Sequence, residues 1–380
     1  LIKFNVPPLT GYEIKYINQV ITEDKKMPDD YTFIQKCSMW LEDNFKCNKV
    51  FLTSSCTHAL EMAALLIDVK PEDEIIMPSF TFPSSANAFI LRGAKIVFVD
   101  IRPDTLNIDE KLIEGAITQK TKAIVPVHYA GVTCEMDAIM DIASRYNLYV
   151  IEDAAQGVMS TYKGKALGTI GHIGCYSFHK TKNYTMGEGG AILINGETYI
   201  NKAEIIIEKG TDRSSFLRGE IDKYSWVDVG SSYIPAEVNA AYLYAQLEKA
   251  NDINNDRLNS WNLYNKLLQP LSEKGYVELP HIPTECEHNA HMYYIKCKDF
   301  DERKDLIDYL NDNGVSTVFH YIPLHSSKAG KKFSRLYGND VNTTRESQRV
   351  LRLPMYYGLN KDDIKYVVEK INEFYKSRDT

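Results

Sequence analysis

Leu148-Tyr149-Val150-Ile151-Glu152-Asp153-Ala154-Ala155-Gln156-Gly157 reads as a short apolar strand that ends on a carboxylate and then turns. Such a run suits a parallel strand buried on both faces. Its carboxylate falls where open α/β sheets bind ligands, outside the carboxyl ends of the strands. Downstream, Ser177-Phe178-His179-Lys180-Thr181-Lys182-Asn183 leads into Gly187-Glu188-Gly189-Gly190 and the apolar Ala191-Ile192-Leu193-Ile194. A lysine held between an apolar strand and a glycine-rich turn suits an amine that meets a carbonyl repeatedly, as a Schiff-base lysine does. An aspartate at a strand end can keep a pyridinium nitrogen protonated, which pyridoxal phosphate (PLP) needs in order to act as an electron sink. Lysine and aspartate together point to PLP.

Outward from these two stretches, residues 48–195 alternate short β-rich runs with helix-length segments. The runs are Lys49 to Thr53, Glu74 to Met77, Lys95 to Val99, Ala123 to Val127, Tyr149 to Glu152, Gly174 to Phe178 and Ala191 to Ile194. This alternation predicts a mostly parallel sheet covered by helices on both faces. After Pro235 a long helical pattern runs from Glu237 through Lys249 towards Trp261 and Leu268, and the proline-marked Leu279 to Pro283 reads as a boundary. Beyond it, His291 to Lys296 and Ser316 to His320 read as strands and Arg303 to Asn313 as a helix, a small α+β unit. The expected division is a large cofactor-binding domain over 1–250 and a small C-terminal domain over 251–380.

The composition is that of a globular protein: 380 residues, 44% hydrophobic and 25% charged. A net charge of -7 and a pI near 5.8 argue against a nucleic-acid partner, which selects a basic surface. No apolar run is long enough to span a bilayer or to form a secretory leader, so the expected location is cytoplasmic. The seven cysteines are scattered without a Cys-x-x-Cys pair, so the sequence encodes neither a disulfide framework nor a zinc site, and no metal is expected. No G-x-G-x-x-G opens a helix after the first strand, which removes the main support for a nicotinamide site.

Thr53-Ser54-Ser55-Cys56-Thr57-His58 ends a strand and begins a helix, and the free first amides of a helix bind anions readily. Cys56 and Thr57 are the candidate phosphate donors, although Ser and Thr before a helix serve equally as plain N-caps. Phe82, in Pro78-Ser79-Phe80-Thr81-Phe82, can cover one face of a pyridine ring or simply fill core. Gln156, three residues after Asp153, can reach the cofactor's phenolic oxygen or merely start a helix; Asp153 itself can serve as an N-cap and Glu152 as a surface charge. Lys180 and Lys182 compete for the Schiff base, since strand alternation lets both point the same way.

The pattern Ser-Phe, three residues, Lys-Asn and Gly-Glu-Gly-Gly resembles the DegT-type nucleotide-sugar aminotransferases, which have the type I (aspartate aminotransferase-like) PLP fold. Further strings carry the likeness over almost the whole chain: Arg92 to Asp100, Pro126 to Gly131, Gly230 to Tyr233 and His320 to His325. The subgroup most similar is the dTDP-4-amino-4,6-dideoxygalactose transaminases of surface-glycan synthesis. The resemblance implies Lys182 as the Schiff-base lysine, Asp153 as partner of the pyridinium, Gln156 as partner of the ring oxygen, and Phe82 as the stacking ring. It implies Cys56, Thr57 and Ser177 around the phosphate, with Ser232 replacing the asparagine that many relatives supply from a neighbouring subunit. Arg213, Lys223, His320 and Tyr321 become candidates for the nucleotide sugar or the amino donor. It also implies L-glutamate as donor and a homodimer with shared sites. Met27-Pro28-Asp29-Asp30-Tyr31 departs from the glycine-rich turn of many relatives and reads as a stiffer, acidic loop. Rival readings are an equatorial C4 amine, a C3-amino sugar, a regulatory protein that holds PLP without turnover, and a nicotinamide oxidoreductase.

Overall fold

The computed structural model describes residues 1–23 and 32–378, so the Met27 to Tyr31 loop lies outside the described residues. Seven strands follow the alternation read from the sequence: β1 (Lys49–Thr53), β2 (Glu74–Pro78), β3 (Lys95–Val99), β4 (Thr121–Ile124), β5 (Tyr149–Asp153), β6 (Ile173–Ser177) and β7 (Gly190–Ile194). Every residue of β6 and β7 is buried, as expected for strands covered on both faces. Four further strands belong to a smaller sheet or to the edge of the large one, the first three being β8 (Tyr293–Lys296), β9 (Val318–Phe319) and β10 (Ser334–Leu336). The last is β11 (Val350–Leu353).

The large sheet has the order β1-β7-β6-β5-β4-β2-β3-β10. All its pairings are parallel except those of β7, which runs antiparallel to both β1 and β6. The small sheet, β8-β11-β9, is antiparallel. Helices α1 (Cys56–Leu66), α2 (Pro83–Ile90), α3 (Glu237–Leu247), α4 (Ala250–Glu273) and α5 (Lys361–Lys376) matter most below. The single helical pattern expected after Pro235 is therefore two helices, interrupted at Glu248 and Lys249.

Apolar side chains fill both faces of the large sheet, with Val50, Val97, Val150 and Leu193 on one side and Ile75, Phe98, Ile151 and Ile192 on the other. This split is the two-residue alternation of each strand. A third core is built from α4, α5, β8 and β11 around Trp261, Tyr264, Tyr293 and Ile371. Helix α4 serves two cores: Ala250 and Ile253 join the large one, Trp261 and Leu268 the small one. Strand β10 returns from the C-terminal part of the chain to extend the edge of the large sheet beside β3.

Candidate active site

The carboxyl ends of β1, β5 and β6 open onto a cavity of about 1020 Å³, lined by Cys56, Thr57, Phe82, Asp153, Gln156, Ser177 and Lys182. The reversed strand β7 builds one wall, because its first residue, Gly190, lies against the start of α1. A Cβ on Gly190 would overlap the backbone of Ser55 and Cys56. Helix α1 is capped by Ser55, whose Oγ accepts the His58 N–H at 3.1 Å. No carboxylate stands in its first turn to offset the positive end of the helix dipole, and its first residues, Cys56 and Thr57, line the cavity. Burial pushes the Cys56 thiol well up, and nearby Asp153 adds to this against Lys182, so the thiol stays uncharged and does not repel an anion there. Thr57 Oγ1 pairs with Ser84 Oγ at 2.7 Å.

Asp153 is held from two directions: Ser85 Oγ donates to Oδ2 at 2.6 Å and the Ala155 N–H to Oδ1 at 3.2 Å. Ser85 in turn pairs with Thr81 at 2.8 Å. Ser85 does not stand out in the sequence, because a serine in the first turn after a proline looks like ordinary helix-start chemistry. Gln156 Oε1 accepts the Ala130 N–H at 2.6 Å and its amide nitrogen donates to Tyr321 at 3.1 Å. Both partners come from irregular turns in which Ala130 and Tyr321 take positive φ. Phe82 precedes α2 and keeps 58% of its surface exposed, an open ring at the cavity wall rather than core filling.

Glu152, beside Asp153, is fully buried rather than a surface charge. It accepts the N–H groups of Gly168, Ile170 and Gly171 at 2.6–2.7 Å and faces His128 Nε2 at 2.9 Å. The strand end that delivers Asp153 is thereby fixed.

The chain leaves the sheet after Ser177, so the alternation argument for Lys180 and Lys182 does not apply. Turns closed by Lys180 N–H to Gly187 O and by Lys182 N–H to His179 O separate the two side chains. Lys180 is exposed, whereas Lys182 lines the cavity. Burial is the main force that lowers the Lys182 amine below the ordinary lysine range; Cys56 and Asp153 oppose it and the Arg352 cation adds to it. The turn is tied on both sides. Thr185 exchanges two 2.8 Å hydrogen bonds with the Gln246 amide of α3. Asn183 donates to Asn289 O at 2.9 Å and meets His291 Nδ1 at 2.9 Å.

Of the remaining candidates, His320 and Tyr321 reach the cavity, their rings stacked at 3.6 Å with Tyr129 OH at 2.8 Å from His320 Nδ1. Burial, reinforced by Arg352 and Lys182, keeps His320 neutral. Ser232, Arg213 and Lys223 are exposed and do not line the cavity of their own chain. Arg352 and His291 line it and were not singled out in the sequence. Within Val350-Leu351-Arg352-Leu353 an arginine has the look of the outward residue of an edge strand. Among the described residues no group of three or more His, Cys, Asp or Glu is placed to hold a metal, and no helix is long and apolar enough to cross a membrane.

Residues 12–372 match the DegT/DnrJ/EryC1/StrS aminotransferase family. The chain belongs to that family. Its fold is that of the type I PLP-dependent aminotransferases, and the aminotransferase from Psychrobacter cryohalolentis superposes with a TM-score of 0.91 at 26% identity, over 98% of each chain. GDP-perosamine synthase of Escherichia coli O157:H7 is 31% identical over 376 residues, 98% of each protein. The spore coat polysaccharide biosynthesis protein SpsC of Bacillus subtilis is 33% identical over 337 residues, 86% of this chain and 85% of the relative. As a member of this aminotransferase family the chain is an enzyme that moves an amino group.

Proposed function

We propose that this aminotransferase moves the amino group of L-glutamate to C4 of dTDP-4-keto-6-deoxy-D-glucose, giving dTDP-4-amino-4,6-dideoxy-D-galactose for a surface polysaccharide. The observation that carries the reading is the convergence of Lys182, Asp153 and Gln156 on one cavity whose wall begins a helix. The residues fit PLP by the chemistry of their donors: an amine with a lowered pKa, a twice-held carboxylate, an oriented amide, an open aromatic ring and unpaired helix amides. When bound, PLP supplies the electron sink that lets a carbon bearing nitrogen give up its proton.

In this reading Asp153 meets the ring nitrogen, oriented by the hydrogen bonds that Ser85 Oγ and the Ala155 N–H donate to it. Gln156 is aimed at the phenolic oxygen, Phe82 covers a ring face, and the amides of Cys56 and Thr57 with the Ser177 hydroxyl take the phosphate. Lys182 Nζ carries a proton to and from the carbon that exchanges its nitrogen, which requires the neutral amine that burial favours. His320 and Tyr321, with Phe319 and Ile322 beside them, face the sugar at the cavity mouth.

Arg213, Lys223 and Ser232 act, in the same reading, on a second copy of the chain. They lie on an exposed segment, 213–234, that also presents Leu217, Tyr224, Trp226 and Val229 to solvent. Exposed apolar side chains in such number favour a protein partner, and a symmetric dimer would carry the segment to the other subunit's cavity. Light scattering checks this, and a single-chain mass with full activity would end the shared-site reading.

The deciding experiment supplies purified enzyme with PLP, L-glutamate and the 4-keto-6-deoxyhexose on dTDP or on GDP, followed by NMR of the product. An axial C4 amine on the dTDP sugar is the expected result. An equatorial amine would keep the chemistry and change the product, and turnover of the GDP sugar alone would move the substrate towards that of the perosamine relative.

A further inference from the structure

His291 lines the cavity two residues before β8, and the hydrogen bonds around it decide which of its ring nitrogens is bare. Asn183, next to Lys182, donates from its amide nitrogen to Asn289 O at 2.9 Å, so its Oδ1 is the atom that meets His291 Nδ1 at 2.9 Å. An amide oxygen can only accept, so Nδ1 carries the ring hydrogen and Nε2 presents a lone pair. Asn289 secures the arrangement from the other side. It donates to Gln156 O and Val158 O at 2.8 Å, which turns its own Oδ1 to the His291 N–H at 3.0 Å. Nε2 has no hydrogen-bond partner among the described residues. Neither has the amine of Lys182, whose side chain lines the same cavity and whose charge acts on His291 more than any other.

An acceptor without a donor thus shares the cavity with a donor without an acceptor. Burial and the cations of Lys182, Arg257 and Arg352, with His320 beyond them, hold the imidazole neutral, and no acid is among the charges that act on it. Arg257 is met by the Ala290 and His291 carbonyls at 3.1 and 2.7 Å, whereas Arg352 Nε is closed off from solvent without a partner among the described residues. A carboxylate in the place of His291 would fix the lysine as an ammonium. A neutral ring nitrogen accepts from the amine in either protonation state, and more strongly from the charged one. We infer that His291 is a positioning residue whose Nε2 receives the Lys182 amine each time the lysine is released from a carbonyl, keeping it within reach of the carbon that exchanges a proton. The inference rests on the reading of Lys182 as the exchanging amine, and adds to it a group that lets the lysine take up a proton as well as lose one. Burial and Arg352 push that proton off, and Cys56 and Asp153 favour its return. The His291 lone pair joins the second side.

The test follows capture of PLP by the cofactor-free, full-length protein across pH, by stopped-flow absorbance, for the wild type, His291→Asn and His291→Gln. Asparagine keeps a donor near the Nδ1 position for Asn183 and offers nothing at Nε2, whereas glutamine reaches the Nε2 position with an amide oxygen and gives up the Asn183 contact. Loss of a hydrogen bond to a charged group predicts a Lys182 midpoint about one pH unit lower in His291→Asn, with His291→Gln near the wild type. A purely structural role predicts the opposite order, because glutamine is the variant that lets Asn183 go. Since Lys182 serves both halves of the exchange, His291→Asn should also lower kcat with the amino donor and with the amino sugar by a similar factor, about tenfold, while each KM stays within about threefold. An unmoved midpoint in His291→Asn, or an equal shift in both variants, would overturn the inference. A KM rise confined to one substrate would give Nε2 to that substrate and overturn it as well. Capture by Lys182→Ala as fast as by the wild type would remove the Lys182 reading and the inference with it, whereas Lys182-dependent capture with a midpoint indifferent to residue 291 would remove the inference alone. The capture assay needs no sugar, so its outcome does not depend on the substrate assigned above.

Discussion

Lys182 must be neutral to attack a carbonyl, and its burial displaces the titration towards lower pH. Capture of PLP by the cofactor-free protein should therefore accelerate with rising pH around a midpoint below the ordinary lysine range, followed by stopped-flow absorbance. Because the Asp153 charge raises the lysine's pKa, Asp153→Asn should shift that midpoint further down. Lys182→Ala should lower kcat by roughly 10² to 10⁴-fold, the span of a positioned acid–base group, which a coupled assay measures. Ser85→Ala removes a charge-assisted hydrogen bond worth about 1.5–3 kcal/mol in such settings. PLP should then bind on the order of tenfold more weakly, read by fluorescence titration. Of these residues, Lys182 and Asp153 were legible because their chemistry is rare and they border strands. Ser85 and Arg352 were not, since serine at a helix start and arginine in a strand have common structural uses. What distinguishes them is a partner, or the lack of one, far away in the chain.

At the scale of the elements, the reversed strand β7 is a tight joint beside the site. Gly190→Ala would push a methyl group into the Ser55–Cys56 backbone, and overpacking of this kind costs about 1–3 kcal/mol. The expected outcome is a lower Tm, with PLP affinity reduced more than the stability loss alone would imply, checked by calorimetry beside a PLP titration. The strands themselves were readable because each is a short apolar run between turn residues, and a sheet buried on both faces leaves no other pattern. The expected Ala123 to Val127 run stops as strand at Ile124, yet Val125 still donates to Ile76 O and Val127 bridges to Asp153, so the chain continues between β2 and β5. The break between α3 and α4 was hidden because Glu248 and Lys249 suit a helix as well as a bend. The parallel contact of β10 with β3 joins residues more than 200 positions apart, and no local pattern announces it.

At the scale of the whole molecule, acid should loosen the C-terminal layer first. His288 packs edge-on against Trp261, its Nδ1 accepts the Ala290 N–H, and burial lowers its pKa to about 4. Its folded pKa is lower than its unfolded one, so the unfolded chain takes up a proton as pH falls below about 6.5. Stability is then lost progressively until the folded pKa is reached. Between pH 7 and 5 the loss from this group is roughly 2 kcal/mol, and urea unfolding at the two pH values should show a smaller difference in His288→Gln. His291 is also held neutral by burial and should add to the effect. The same layer has a mechanical bearing on the chemistry. Asn183, next to Lys182, is fastened to Asn289 and His291, while Thr185, two residues further, is fastened to α3. The lysine is thus slung between two anchorages like a bridge deck. Any swing of one bank against the other is delivered as a displacement of the nitrogen, so the grip on a ligand at one shore sets the reach of the amine in midstream.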